Sequence, residues 1–342
     1  MKKRISALLL SLLLCGCQNI DLPASPVGNG ANEASLTLAI PVGSGSICYE
    51  VAQELARRAT DFAENSLSVT IVMEENIWDS VASAEADLVV CENSRLVRDA
   101  LEREKVQYPQ VAEAVSSGKV TGDAAMFAMM EYPYFFRDSH CVIEGGNNPD
   151  VLAALNYSLP QTMTMDLKRL SYCGEYHWYC EDGAAVRDYF SEHHFDDILQ
   201  GQLALGRDIR EPLSFIDGSG LSLKEVDACG EFSDVEGKTL FLSGGRQMIL
   251  DIFVNPQSME KLTEAQRAAV EEAVVYSGGY SRTLADSRQE EALEELKRQG
   301  MLIREGDVGL WHEAFQEQYR SETSPLKVEL VNLLDEKTKR FH

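Results

Sequence analysis

From Leu36 to Val90 the apolar residues keep changing their period, and this limits the possible folds more than any other feature of the chain. Leu36-Thr-Leu-Ala-Ile40 reads as a strand, followed by a loop that Gly43 and Gly45 make flexible. Val51, Ala52, Leu55, Ala56, Ala59 and Phe62 then recur at helical spacing, with Glu54, Arg57, Arg58 and Glu64 off that stripe. Leu67, Val69, Ile71 and Met73 alternate with Ser68, Thr70 and Val72, the period of a strand. Trp78, Val81 and Ala82 suit a short helix, and Ala86-Asp-Leu-Val-Val90 a buried strand. Strand, helix, strand, helix, strand is the order of a parallel α/β sheet. Ligands of such sheets collect beyond the carboxyl ends of the strands, here Gly43 to Cys48 and Cys91 to Arg95.

Further along, residues 95–123 are polar and helix-prone, and Tyr132-Pro-Tyr-Phe-Phe136 forms an aromatic turn before Arg137-Asp138. A loop and then a helix suit 139–157. Strands are expected at Thr162–Met165, Leu170–Cys173, Leu240–Leu242 and Ile249–Val254, and a helical pattern at 184–205. Thr263-Glu-Ala-Gln266 has capping-box form: the Thr hydroxyl can accept the N–H three residues on, and Gln can reach back. The helix it opens is expected to kink at Gly278-Gly279, resume at Ser281 and stop at Gly300, since glycine weakens a helix by ~1 kcal/mol relative to Ala. Met301-Leu-Ile303 suggests a short strand, and Val308, Trp311, His312 and Phe315 a last helical face.

The amino terminus points out of the cytosol. Lys2, Lys3 and Arg4 precede an apolar run, Ile5 to Leu14, too short to span a bilayer, which needs about 20 apolar residues. Leu14-Cys-Gly-Cys17 resembles a bacterial lipobox; the plainer reading is an ordinary secretory signal with incidental cysteines. With residues 1–16 as signal peptide, the chain is cut at Cys17, anchored to a bacterial membrane by lipid there, and tethered through the Pro/Gly/Asn-rich linker 17–35. The mature chain then has 326 residues (342 − 16) and a formal charge of −27 (−24 less three cations). Such acidity opposes binding to nucleic acid, where Lys and Arg must neutralise phosphates, and to anionic lipid through a basic face.

Six cysteines remain: Cys48, Cys91, Cys141, Cys173, Cys180 and Cys229. Outside the cytosol an even number suggests disulfides, and the short loop between Cys173 and Cys180 makes these the expected pair. A metal site at Cys173, His177 and Cys180 is the alternative, but the spacing fits no common zinc pattern and a fourth ligand is missing. No metal or cofactor is expected.

The chain resembles the solute-binding subunits of tripartite ATP-independent periplasmic (TRAP) transporters. The likeness rests on Glu85-Ala-Asp87-Leu-Val-Val90, Pro133-Tyr-Phe-Phe-Arg137-Asp138, Ile216-Asp217-Gly218 and Gly230-Glu-Phe-Ser-Asp-Val235. It is strongest in Val254-Asn255, Leu262-Thr-Glu-Ala-Gln266 and Leu296-Lys-Arg-Gln-Gly300-Met-Leu-Ile303. It covers 36–316 and is poor from 174 to 212. The resemblance implies a two-lobed α/β periplasmic-binding-protein-like fold with discontinuous lobes, a bridging helix from Thr263 to Gln299, and closure by hinge motion. The lobes are expected at 36–172 plus 238–278 and at 173–237 plus 279–322, with 323–342 as a tail. It also implies a monomer that does no chemistry, captures a small solute and delivers it to membrane permease subunits.

The usual ligand is an organic acid clamped by arginine, whose fork matches a carboxylate. Here the equivalent stretch reads Gly174-Glu-Tyr-His177, and the second expected arginine falls in Asp188–Phe195, where none stands. Arg187, Arg207 and Arg210 are possible substitutes. The candidate lining is Ser44, Ser46, Glu92, Asn93 and Ser94 from the first lobe and Tyr176, Trp178, Asp217 and Ser219 from the second. Hydroxyls, amides, aromatic faces and acids suit a neutral or partly cationic solute. A ligand-sensing lipoprotein feeding a membrane signalling receptor would share all these features. An enzyme has only His193-His194 and the Cys173–His177–Cys180 group in its favour.

Overall fold

The computed structural model describes residues 33–83, 85–103, 127, 129–131, 134–159, 165–181, 214–216, 222–305, 332–334, 336 and 337. The alternating region folds as its pattern requires: β1 (Ala34–Pro41), α1 (Ser46–Phe62), β2 (Leu67–Glu74), α2 (Ile77–Ser83) and β3 (Leu88–Glu92). β1 lies between β2 and β3 and pairs with both in parallel. The α1 stripe Val51, Ala52, Leu55, Ala56 and Ala59 is buried against the sheet, and each fully buried Leu of this kind stabilises the fold by about 1.5–3 kcal/mol. Asp87 ties the start of β3 to its neighbours: its carboxylate accepts the Thr37 N–H at 2.7 Å and also the Ser258 hydroxyl. α3 (Asn93–Arg103) follows directly.

A single turn of π-helix (Cys141–Gly145) and α4 (Pro149–Ser158) lead into β4 (Asp166–Cys180). The Asp138 of the Arg-Asp motif accepts the Cys141 N–H at 2.9 Å and so caps that turn. β5 (Ser214–Ile216), β6 (Ser222–Asp227) and β7 (Thr239–Val254) come next, then α5 (Pro256–Glu260), α6 (Glu264–Arg298) and β8 (Leu302–Glu305). The sheet order is β2-β1-β3-β7-β4-β6-β5, with β8 added alongside β7. Two asparagines line the β4 edge that faces α4. Asn147 donates to the Leu170 carbonyl at 2.7 Å and accepts its N–H at 2.9 Å, and Asn156 does the same to Leu167 at 2.9 and 2.7 Å.

The long strands differ from expectation. Leu240–Leu242 and Ile249–Val254 are two ends of one strand, because the polar Ser243-Gly-Gly-Arg-Gln247 stretch bulges instead of turning. Leu170–Cys173 likewise continues to Cys180. This overturns the expected Cys173–Cys180 disulfide. Seven residues along one extended strand separate them by roughly 23 Å, whereas a disulfide needs Cα atoms within about 7 Å. No disulfide joins the six described cysteines.

α6 has the predicted capping box, with Thr263 and Gln266 bonded both ways. It does not break at Gly278-Gly279 but runs unbroken for 35 residues, about 52 Å. Packing explains this. Val270, Ala273 and Val274 join the core of β1, β3 and α1, while Leu296 joins a separate cluster with Tyr179, Leu240 and Met301. Gly278 serves a close approach: a Cβ there would lie 2.0 Å from Arg169 Nε on β4. The helix stops as predicted, with Gly300 at φ +93°. Residues 162–164 of the expected strand before β4, the Val308–Phe315 segment and the helix at 184–205 lie outside the described residues.

Candidate functional site

β4 and β7 are the strands that run through both halves of the sheet. β3 pairs with the carboxyl-terminal end of β7, from Leu250 to Val254, while β8 pairs with its opposite end, Thr239 to Leu242. β6 pairs with the far end of β4, Tyr176 to Cys180. Between these regions the register breaks. Tyr176 faces Arg246 and Trp178 faces Phe241, so Leu242, Ser243, Gly244 and Gly245 stand opposite His177 alone. Such a bulge bends its strand, and Gly244 takes the strain at φ +54°. The aromatic turn reaches this point too, through the Tyr134 N–H donated to the Gly245 carbonyl at 2.6 Å.

On the α6 side of the crossing lies a polar network. Gln289 of α6 donates to Glu175 Oε1 at 2.9 Å and stands 3.1 Å from His177 Nε2. Gln247 donates to Glu175 Oε2 and to the Gly244 carbonyl, each at 3.3 Å. Gly244 N–H points at His177 Nδ1 at 3.4 Å. Nδ1 therefore accepts from Gly244, which a doubly protonated imidazolium could not do, and the single ring proton falls to Nε2, 3.7 Å from Glu175 Oε1. Burial lowers the His177 pKa in the same sense, and Glu175 offsets this only in part. Burial thus favours the neutral form of His177, at the place where the resemblance leads one to expect a guanidinium.

On the other side Arg246 is enclosed. Its guanidinium meets Glu131 at 2.6 Å and Glu225 at 3.0 Å, and stacks 4.1 Å from the Tyr176 ring centre. Arg246, Glu131 and Glu225 are 3, 4 and 1% exposed. Burial alone would lower the guanidinium pKa, but the two carboxylates raise it well above its usual value. Asn93 donates to Glu131 Oε1 at 2.6 Å. Beyond this, Asp251 has neither carboxyl oxygen bonded among the described residues, and burial pushes its pKa far up, with Glu131 adding to the effect. No group of metal-holding side chains occurs among the described residues.

The expected site residues fall into three sets. At the carboxyl ends of β1 and β3, the Ser44 hydroxyl bonds the Pro41 carbonyl at 2.7 Å, and Glu92 accepts the Gly45 N–H at 3.0 Å. Ser46 accepts from Arg288 of α6 at 2.5 Å, and that arginine pairs with Glu50 at 2.6 Å. Ser94 is half-buried beside them at the start of α3. Asn93 and Trp178 are fully buried and Tyr176 is engaged by Arg246, so these three support the crossing from within; Tyr176 and Trp178 lie on β4. Arg187, Arg207, Arg210, Asp217, Ser219 and Cys17 lie outside the described residues.

No family model and no curated protein sequence matches the chain. Solved structures do match. A TRAP periplasmic solute-binding protein from Ochrobactrum anthropi, with its C-terminus bound in the ligand-binding pocket, is 12% identical. The match has a TM-score of 0.62 over 91% of this chain and 96% of that one. One from Rhodobacter sphaeroides, apo and open, gives 0.61 at 12% identity over 89% and 99%. One from Desulfovibrio salexigens with bound orotic acid gives 0.58 at 12% identity over 90% and 99%. The fold is that of TRAP solute-binding proteins. Within this receptor fold, sequence reasoning missed Glu175, Gln247 and Gln289, and also the Arg246–Glu131–Glu225 cluster. One signal was available: Asp251 stands inside the apolar run from Met248 to Val254, where a charge needs a partner or must be neutral.

Proposed function

We propose that the chain is an extracytoplasmic solute receptor that captures a small solute between two lobes and passes it to a TRAP-type permease. The observation that carries this reading is the match of one fold along about nine-tenths of the chain. Neighbours of this fold hold β-D-glucuronate, L-galactonate and orotic acid, so small polar solutes are the class to try first. The break in β4 and β7 supports a hinge at the crossing, a few residues from the lobe boundaries expected at 172/173 and at 238. α6 supports it by joining the cores on either side. In this reading Ser44, Ser46, Glu92 and Ser94 line one wall, and Asp217 and Ser219 belong to the other. Arg187 and Arg207 are the cations available to an anionic solute. No described helix is long and apolar enough to cross a membrane, which accords with anchoring by lipid at Cys17.

The test is a thermal-shift screen of organic acids, sugars, amines and amino acids. A ligand at 100 times its Kd stabilises the folded state by about 2.7 kcal/mol. At least one compound is expected to raise the melting temperature with saturable dose dependence; a full panel without effect refutes the receptor reading. Separately, Cys17→Ser should abolish fatty-acid labelling and release the protein from membranes. Continued labelling and retention refute the lipid anchor.

A further inference from the structure

Among the described residues Glu175 has no lysine or arginine partner; its one titratable neighbour of opposite potential charge is His177, whose Nε2 lies 3.7 Å from Oε1. The Glu175 side chain is 24% exposed, so solvent reaches it. Its hydrogen-bond partners are the amides of Gln289 and Gln247, and the neighbouring His177 accepts the Gly244 N–H at Nδ1 while burial disfavours its charged form. Asp227 and Glu305 also lie close enough to act on the His177 ring, which adds negative charge to the same corner. The arginines nearby are engaged elsewhere: Arg288 with Glu50, Arg282 with Asp286, and Arg246 with Glu131 and Glu225. Arg169, whose Nε has no hydrogen bond and which feels the charge of Glu144, is six residues back along β4, roughly 20 Å away. Arg304 alternates with Glu305 on β8 and so points to the opposite face.

A second observation is independent of this charge. Gln247 is 2% exposed, and its Oε1 has no hydrogen-bond donor among the described residues. The amide cannot simply be turned over to cure this. Its nitrogen lies between two acceptors, Glu175 Oε2 and the Gly244 carbonyl, and exchanging the atoms would set oxygen against oxygen. An unmet buried acceptor beside an unneutralised carboxylate calls for donors, and for positive charge.

We infer that the solute this receptor captures is a small organic cation, a protonated amine or guanidine whose N–H groups bond Glu175. This rests on the receptor reading and specifies the charge of its ligand. A carboxylate solute would meet Glu175, Asp227 and Glu305 with no free guanidinium described on that face near enough to offset them. An ammonium or guanidinium group supplies both missing elements: it neutralises Glu175 through charge-assisted hydrogen bonds and offers further N–H groups beside Gln247.

Isothermal titration of the purified full-length chain tests this with sets of solutes that share a skeleton and differ in charge. One such set is butane-1,4-diamine, butane-1,4-diol and butanedioate; agmatine, arginine, glucuronate and orotate extend the range. The cationic members are expected to bind at least tenfold more tightly than their neutral and anionic counterparts, and to weaken as ionic strength rises. Glu175→Gln, which preserves size and amide contacts, should weaken cation binding at least tenfold, and Glu175→Asp should weaken it less. Tighter binding of the neutral or anionic members overturns the inference but leaves the receptor reading intact. So does cation affinity that stays within twofold in a folded Glu175→Gln. If that variant does not fold, the ranking by charge in the unaltered chain decides. Failure of every solute to bind overturns both readings.

Discussion

Arg246→Met should be among the most destabilising single substitutions in the chain. The guanidinium sits between two carboxylates, 2.6 Å from Glu131 and 3.0 Å from Glu225, and all three groups are sealed from water. Methionine fills much of the same volume, so the loss comes chiefly from two buried charges without a counter-ion. Breaking a buried pair costs about 3–5 kcal/mol. The 310 residues after position 32 (342 − 32) unfold with an entropy of about 2.1 cal/mol/K each, or roughly 0.65 kcal/mol/K. The melting temperature should therefore fall by about 5–8 °C at pH 7, measured by differential scanning calorimetry. The triple variant Arg246→Met, Glu131→Gln, Glu225→Gln removes the stranded charges and should recover most of that loss. A single variant that loses less than about 1 kcal/mol, or a triple variant as unstable as the single, refutes the reasoning.

Burial holds the Asp251 carboxyl above its ordinary 3.8, so the folded chain binds this proton more tightly than the unfolded chain, and stability is lost as pH rises above that value. Asp251→Asn should accordingly raise the melting temperature more at pH 8 than at pH 5; an equal gain at both would refute this account. His177 has the opposite sign: its folded pKa lies below 6.5, so its contribution is present above 6.5 and lost as pH falls through the folded value. His177→Gln should flatten the stability decline below pH 6.5, and an unchanged slope in calorimetry counts against a neutral imidazole. A Cβ added at Gly279 would meet nothing within 4 Å, whereas one at Gly278 would meet Arg169. Gly279→Ala should thus gain up to about 1 kcal/mol from helix propensity, and Gly278→Ala should gain nothing unless Arg169→Ala accompanies it. Equal denaturation midpoints for the two single variants would dismiss the role given to Arg169.

Local pattern carried much of the fold. The α1 stripe, the alternation of β2, the capping box at Thr263 and the stop at Gly300 follow from rules that act within one or two turns of chain, and the structure has them all. What failed depends on distant partners. Gly278-Gly279 reads as a break until Arg169 is seen filling the space a side chain would need. Leu240–Leu242 and Ile249–Val254 read as two strands until β4 is seen pairing with both. Glu131, Glu225 and Arg246 are 94 and 21 residues apart in sequence, and nothing local announces that they meet. The site shows the same division. Glu92, Ser44 and Ser46 were legible as the residues at strand ends, whereas Glu175, Gln247 and Gln289 required the crossing of two strands and a helix.

The asparagines on the rim of β4 have a consequence for the chain's behaviour in company. A β-strand with unpaired N–H and C=O groups along its edge is a template for another chain, and such edges nucleate aggregates. Asn147 and Asn156 each present an amide to one residue of that rim, so that Leu170 and Leu167 have their N–H and C=O groups occupied. A foreign strand seeking to add there would have to displace both side chains before forming its first ladder bond. Replacing both with leucine would keep the bulk and expose the template, and a concentrated solution of that variant would be expected to turn cloudy where the parent stays clear.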